Sequence, residues 1–195
     1  MFKKIILAAL IVTSAAFAQF QLHVGGRAAF NFGTIYGDTP EGVSWNWGPG
    51  FNAGAAAKMD ITPLVTFVPG LEVELRTASA DIPFYDKSSF AFWYIDFPLL
   101  ARFNITPQFF ADAGLSVNFN IVAQQTIEFE GVSETDDVEE AKTVDFGFIA
   151  GAGFTVIPNL DITLRFVIGL TDMVDDMEMG TKNLRAQLGV TYWFM

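Results

Sequence analysis

The chain has 195 residues, 51% of them hydrophobic, with 21 phenylalanines and no cysteine. Its 22 acidic side chains outnumber the 11 basic ones, for a formal net charge of −11. This balance, with no basic patch or stacking motif, excludes a nucleic-acid partner, and the absence of cysteine excludes a disulfide framework. So many aromatics exceed what a soluble domain of this size buries, whereas a β-barrel in lipid displays them outward.

At the N-terminus, Lys3 and Lys4 precede an apolar run from Ile5 to Val12, and Ala16-Phe17-Ala18 forms an A-x-A cleavage site. That pattern predicts a secretory signal peptide over 1–18, with a mature domain over 19–195. The competing reading, a core helix, has no amphipathic pattern to recommend it, and the run is too short to span a bilayer. No cysteine follows the cleavage site, so a lipid anchor is not expected. No later segment offers 18 uncharged apolar residues, so no transmembrane helix is expected.

Eight runs of period-two alternation follow, at 20–36, 48–61, 64–77, 89–104, 108–124, 144–157, 160–172 and 184–194. The fifth is clearest: Leu115, Val117, Phe119 and Ile121 fall on one face, and Asp112, Gly114, Ser116 and Asn118 on the other. The seventh sets Leu164, Phe166 and Ile168 against Asp161, Thr163 and Arg165. Short proline turns follow the second, fourth and sixth runs, at Thr62-Pro63, 104–107 and Ile157-Pro158-Asn159; longer polar loops follow the others. Proline presets a turn and cannot continue a ladder. Short turns on one side and long loops on the other mark an outer-membrane barrel with periplasmic turns. An open edge in lipid would leave backbone groups unsatisfied, so the sheet must close. The predicted fold is all-β, an eight-stranded antiparallel up-and-down transmembrane β-barrel. Pro69 and Pro98 lie inside runs and predict bulges or local breaks there.

The last run ends Gln187-Leu188-Gly189-Val190-Thr191-Tyr192-Trp193-Phe194. This resembles the C-terminal signal by which bacterial outer-membrane barrels are read and inserted, with Gln187, Gly189, Tyr192 and Phe194 as its matching positions. Met195 follows the aromatic that usually ends such chains.

The fourth and fifth runs read Tyr94-Ile95-Asp96-Phe97-Pro98-Leu99-Leu100 and Phe109-Phe110-Ala111-Asp112-Ala113-Gly114-Leu115. The sixth and seventh add Asp145-Phe146-Gly147-Phe148-Ile149-Ala150-Gly151 and Leu164-Arg165-Phe166-Val167-Ile168-Gly169-Leu170-Thr171-Asp172. Together these resemble the PorT-like outer-membrane β-barrel domain family over about residues 88–194; Asp112 departs from a position that is usually uncharged. The resemblance implies an eight-stranded barrel built like the small OmpA- and OmpX-like barrels, and it implies no single activity.

The alternation turns thirteen charged groups inward: Arg27, Lys58, Arg76, Arg102, Arg165 and Arg185 with Asp60, Glu72, Glu74, Asp96, Asp112, Asp145 and Asp161. Eight strands enclose room for little but their own side chains, and buried charges must be paired. The expectation is a lumen plugged by ion pairs; a narrow ion channel competes. A lipid-modifying enzyme is a further alternative, but His23 is the only histidine and no G-x-S-x-G elbow is present. A secreted lipocalin-like barrel is set aside, because the apolar face is too aromatic to pack inside. Inward glycines such as Gly54, Gly114 and Gly151 make room for long neighbours and precede no helix that could cradle phosphate.

The loops hold most of the acid: Glu128, Glu130, Glu134, Asp136, Asp137, Glu139 and Glu140, then Asp175, Asp176 and Glu178. They read as a solvated surface, with a weakly bound divalent cation as the alternative; no other cofactor is expected. Tyr36, Trp45, Trp47, Phe84, Tyr85, Trp93 and Tyr94 read as an interfacial girdle. The expected place is the cell outer membrane, and the expected partners are its lipids and the barrel-assembly machinery; a surface partner is left open.

Overall fold

The computed structural model describes residues 22–37, 44–81, 87–129, 132–138, 141–174 and 181–194. Nine strands form: β1 (Leu22–Tyr36), β2 (Ser44–Thr62), β3 (Val65–Asp81), β4 (Lys87–Asn104), β5 (Phe109–Phe129), β6 (Val132–Asp137), β7 (Val144–Ile157), β8 (Leu160–Gly169) and β9 (Lys182–Trp193). Eight of them pair in chain order, skipping β6, and every pairing is antiparallel. β9 then returns to β1, from Gly25↔Trp193 to Tyr36↔Lys182, and closes the ring. Closure satisfies the backbone of both end strands, as lipid requires. The signal-peptide region, Phe84, Tyr85, Glu130, Glu139, Glu140, Asp175, Asp176, Glu178 and Met195 lie outside the described residues.

The ring has the expected eight strands, and the ninth, β6, lies outside it. β6 arises in the acidic stretch read as a loop, and it pairs only with the far end of β5, from Gln124↔Asp137 to Phe129↔Val132. Its alternating Val132, Glu134 and Asp136 against Ser133, Thr135 and Asp137 suit a two-sided polar strand, and Thr126 meets Thr135 hydroxyl to hydroxyl at 2.9 Å. Opposed threonines are a favourable cross-strand pair. β2, β3 and β5 also run beyond their expected ends, so the sheet continues above the ring, with β6 as its edge.

Two of the three short turns hold their shape through the threonine that precedes the proline. Thr62 Oγ1 accepts from the Val65 amide at 3.0 Å, and Thr106 Oγ1 accepts from the Phe109 amide at 2.9 Å. These bonds satisfy amides that the hairpin ladder leaves free.

Pro69 and Pro98 give local breaks and no bulge: pairing lapses at Gly70 and Leu71 toward β4 and at Val68 and Pro69 toward β2, while Pro69↔Leu99 and Glu72↔Asp96 share one register. The reason is Gly70, which stands opposite Pro98; a Cβ there would come within 2.8 Å of Pro98 Cγ, so the absent side chain makes room for the ring. The register shifts fall elsewhere, between Trp47 and Phe51 around Pro49, at Asp60/Thr62, at Trp93/Tyr94 and at Thr155/Ile157. At the third, neighbouring Ile121 and Val122 are both exposed, as the extra residue of a bulge dictates.

Alternation separates two surfaces. Phe30, Leu71, Leu115, Leu164, Phe166 and Leu188 are exposed on the outer wall, while Asp112, Arg165 and Arg185 are buried inside. Outer aromatics pair across strands, Phe32 stacking on Trp47 at 5.5 Å and Phe51 meeting Trp93 edge-on at 5.7 Å. The interior is not wholly polar: Val68, Leu100, Ile149, Val167 and Trp193 form one buried apolar cluster. A second gathers Ile35, Phe92, Tyr94, Met173 and Val174 at the long-loop end.

Candidate functional site: a sealed lumen and its two ends

Residues two apart on a strand share a face, so β3 alone turns Glu72, Glu74 and Arg76 into the lumen. The neighbouring strands meet them with charge and amide. Toward the short turns, Arg102 grips two carboxylates: Nε donates to Asp112 Oδ1 at 2.9 Å and Nη1 to Asp161 Oδ2 at 2.6 Å. Arg165 Nη2 reaches the other Asp112 oxygen at 2.9 Å. Asp161 also accepts from Trp193 Nε1 at 2.9 Å and from Thr155 Oγ1 at 2.8 Å. The Arg102 guanidinium lies 3.4 Å over the Phe110 ring, a desolvated cation–π contact.

Further up, Arg27 Nη1 donates to Glu72 Oε2 at 2.8 Å, and Asn52 donates to the same oxygen. Glu74 is the most connected acid. Arg76 donates to its Oε2 through Nε at 2.9 Å and Nη2 at 2.8 Å, and Asn31 and Gln187 each donate to Oε1 at 3.1 Å. Arg185 Nε lies 2.8 Å from that Oε1. Arg76 Nη1 continues to Asp145 Oδ2 at 3.0 Å, and Asn118 donates to the other Asp145 oxygen. Asp96 is held least: Arg185 Nη2 stands 3.8 Å from its Oδ2, and its Oδ1 has no partner among the described residues. Charges taken out of water at this depth persist only when their remaining donors and acceptors are met as well.

Eleven of the thirteen charged residues read as inward are thus buried together: Arg27, Glu72, Glu74, Arg76, Asp96, Arg102, Asp112, Asp145, Asp161, Arg165 and Arg185. Lys58 and Asp60 are not part of that buried set. They sit where β2 runs out toward the short turns: Lys58 holds its ammonium 4.7 Å over the Trp193 ring, and the exposed Asp60 accepts from Thr66 Oγ1 at 2.6 Å. Of the insertion-signal residues, Tyr192 and Phe194 face outward with rings 5.8 Å apart, whereas Gln187 joins the lumen network. Gly189 faces inward, where a Cβ would come within 2.8 Å of Arg27 Nη2.

Two aromatics leave the expected girdle. Tyr94 is buried with its ring 3.8 Å beneath the Arg76 guanidinium, and Trp45 packs on Phe90 against the upper apolar cluster. The alternation already places Tyr94 on the face of Asp96; its type, not its phase, suggested the girdle. The neutral members Asn31, Asn52, Asn118 and Trp193 share the inward phase too, and attention to charge alone passes over them.

The ends differ. At the short turns the network opens onto a cavity of about 430 Å³. Within the barrel, beside Arg27, Glu72, Arg165 and Trp193, a void of only about 10 Å³ remains, near the lower limit for one water. At the long-loop end, the segment after β8 turns inward. Met173 donates its amide to Thr181 O at 3.0 Å and accepts from the Lys142 amide at 2.8 Å, while Val174 bridges to Ala141. Met173 and Val174 thereby seat in the apolar cluster over the charges. The acidic side chains of β6 stay exposed, and among the described residues no group of three or more His, Cys, Asp or Glu is placed to hold a metal ion.

Comparison with solved structures finds the same ring. Ail, the attachment invasion locus protein of Yersinia pestis, superposes with a TM-score of 0.54 at 13% identity, covering 88% of this chain and 98% of Ail. Its complex with the heparin analogue sucrose octasulfate gives 0.54 at 14%, covering 89% and 99%. Neisserial surface protein A gives 0.54 at 12%, covering 87% and 96%. At such identities the likeness concerns the fold. No curated protein sequence matches. Residues 17–175 match the family described as outer membrane protein beta-barrel domain. With a match over most of its length and a closed ring of eight antiparallel strands, the chain belongs to that outer-membrane β-barrel family.

Proposed function

We propose that this chain is a non-conducting, non-catalytic outer-membrane barrel whose work is done at the cell surface. The observation that carries the reading is the lumen: five arginines interlock with six carboxylates, and apolar side chains cap them from above. Ions would have to break several buried pairs to cross, each at a cost of about 3–5 kcal/mol. The barrel then serves as an anchor, and the sheet that rises beyond it, edged by Glu134, Asp136 and Asp137 on β6, is the contact element. Its acidity favours a cationic partner or surface lipids bridged by divalent cations. The polyanion bound by Ail is not carried over, because acid would repel it. Export with loss of residues 1–18, delivery through the insertion signal by the barrel-assembly machinery, and PorT-like ancestry complete the proposal.

The test has two parts. Protein reconstituted in planar bilayers should show no stable conductance; a reproducible ion-selective open state would replace this reading with the channel. Cells carrying the barrel without residues 132–137 should then keep the folded barrel and lose surface binding to cationic surfaces.

A further inference from the structure

The short-turn cavity is a site that the sealed-lumen reading does not use. Its volume, about 430 Å³, falls in the range of roughly 300–1,000 Å³ typical of small-ligand pockets. Its floor is electrostatically spent, since Arg102 is committed to Asp112 and Asp161. Two opposite charges on its wall are not. Lys58 makes no ion pair among the described residues; its ammonium rests on the Trp193 ring and feels Asp161 and Asp60 only from beyond contact distance. Asp60 is oriented by a relay in which Asn104 Nδ2 donates to Thr66 Oγ1 at 3.2 Å and Thr66 Oγ1 donates to Asp60 Oδ1 at 2.6 Å. That relay leaves Asp60 Oδ2 without a partner among the described residues. His23, the cross-strand partner of Lys58, and Gln108 supply further polar groups, and Phe110 and Ile157 supply apolar wall.

Lys58 and Asp60 lie two residues apart on one face of β2, about 6.6 Å by the rise of a strand. An extended dipeptide separates its termini by about 7 Å. We propose that this cavity binds a zwitterionic dipeptide, its carboxylate on Lys58 and its ammonium on Asp60. The apolar wall receives the side chains, and the open end admits the ligand from the periplasmic side.

The probe is alanyl-alanine, titrated calorimetrically into the full-length protein folded in detergent micelles. Saturable binding is expected. Lys58→Gln and Asp60→Asn should each weaken it about tenfold or more. On the unaltered protein, the N-acetylated and the C-amidated dipeptides should each bind about tenfold more weakly than the free one. Asp60→Asn should leave the affinity of the acetylated probe unchanged, because that probe has already lost its ammonium. Heat-modifiable gel mobility reports whether each variant is folded, and the blocked dipeptides decide the matter even if one is not. Absence of saturation, equal binding of blocked and free dipeptides, or indifference of folded variants to both substitutions would each overturn the proposal.

Discussion

Asp112 takes a guanidinium on each oxygen, Arg102 on one and Arg165 on the other, with its side chain fully out of solvent. The two sides of that cluster are therefore unequal. Arg165→Ala leaves Asp112 still paired with Arg102, whereas, among the described residues, Asp112→Ala removes the sole carboxylate within ion-pair reach of Arg165 and one of two from Arg102. Stranding a buried charge costs about 3–5 kcal/mol. Asp112→Ala is expected to lose about that much, and Arg165→Ala clearly less, in urea unfolding from lipid vesicles followed by tryptophan fluorescence; equal losses would show that the cluster does not act as drawn.

Among the elements, β5 and β9 carry the sharpest tests. Val117 of β5 faces outward opposite Phe97 and Phe146 of the adjoining strands. Val117→Arg is expected to destabilise the barrel by about 2–4 kcal/mol if it lies near the bilayer midplane, while arginine at the loop-level Thr135 should be nearly silent in the same unfolding measurement. β9 works on two faces. Its inner side chains Arg185, Gln187 and Trp193 lock into Glu74 and Asp161, while Tyr192 and the following Phe194 are exposed on the outer wall, where the proposed insertion signal needs them. Phe194→Ala is expected to slow assembly in cells, and deletion of Met195 to leave it intact; the reverse result would mean that closure is specified elsewhere. β6, by contrast, pairs only with β5 beyond the ring. Excising Val132–Asp137 should leave heat-modifiable mobility and melting unchanged, because β6 pairs with no ring strand except the tip of β5.

For the whole molecule, the plug is layered: buried ion pairs, an apolar cluster among them, and an apolar cap that the segment after β8 folds over the top. Loosening one layer should not open a path. Met173→Asp places a charge in the cap, which an apolar setting disfavours, and it is expected to increase protease access at the long loops while planar-bilayer conductance stays at baseline. Conductance from that single change would show that the cap alone is the seal.

The sequence by itself determined the barrel, because lipid allows so few alternatives: period-two alternation assigns each residue a face, and proline turns alternating with long loops assign each end. The inward phase of Arg27, Glu72, Glu74, Asp112 and Arg165 was legible for the same reason. Only the tertiary structure decided the distant partners: Glu74 is the neighbour of Arg76 on one face of β3, but strand register and tilt brought Arg76 to Asp145 across the lumen. Pairing of β9 with β8 put Trp193 beside Asp161, and closure of the ring carried the inward Gln187 to Glu74. Pairing of Val132–Asp137 onto the end of β5 turned a run of acid into an edge strand, because the tip of β5 extended past the membrane with a free side to fill. The inward fold of Met173 and Val174 was invisible for the opposite reason: a loop carries no periodicity, and its resting place depends on the apolar floor that β1, β3, β4 and β5 assemble beneath it.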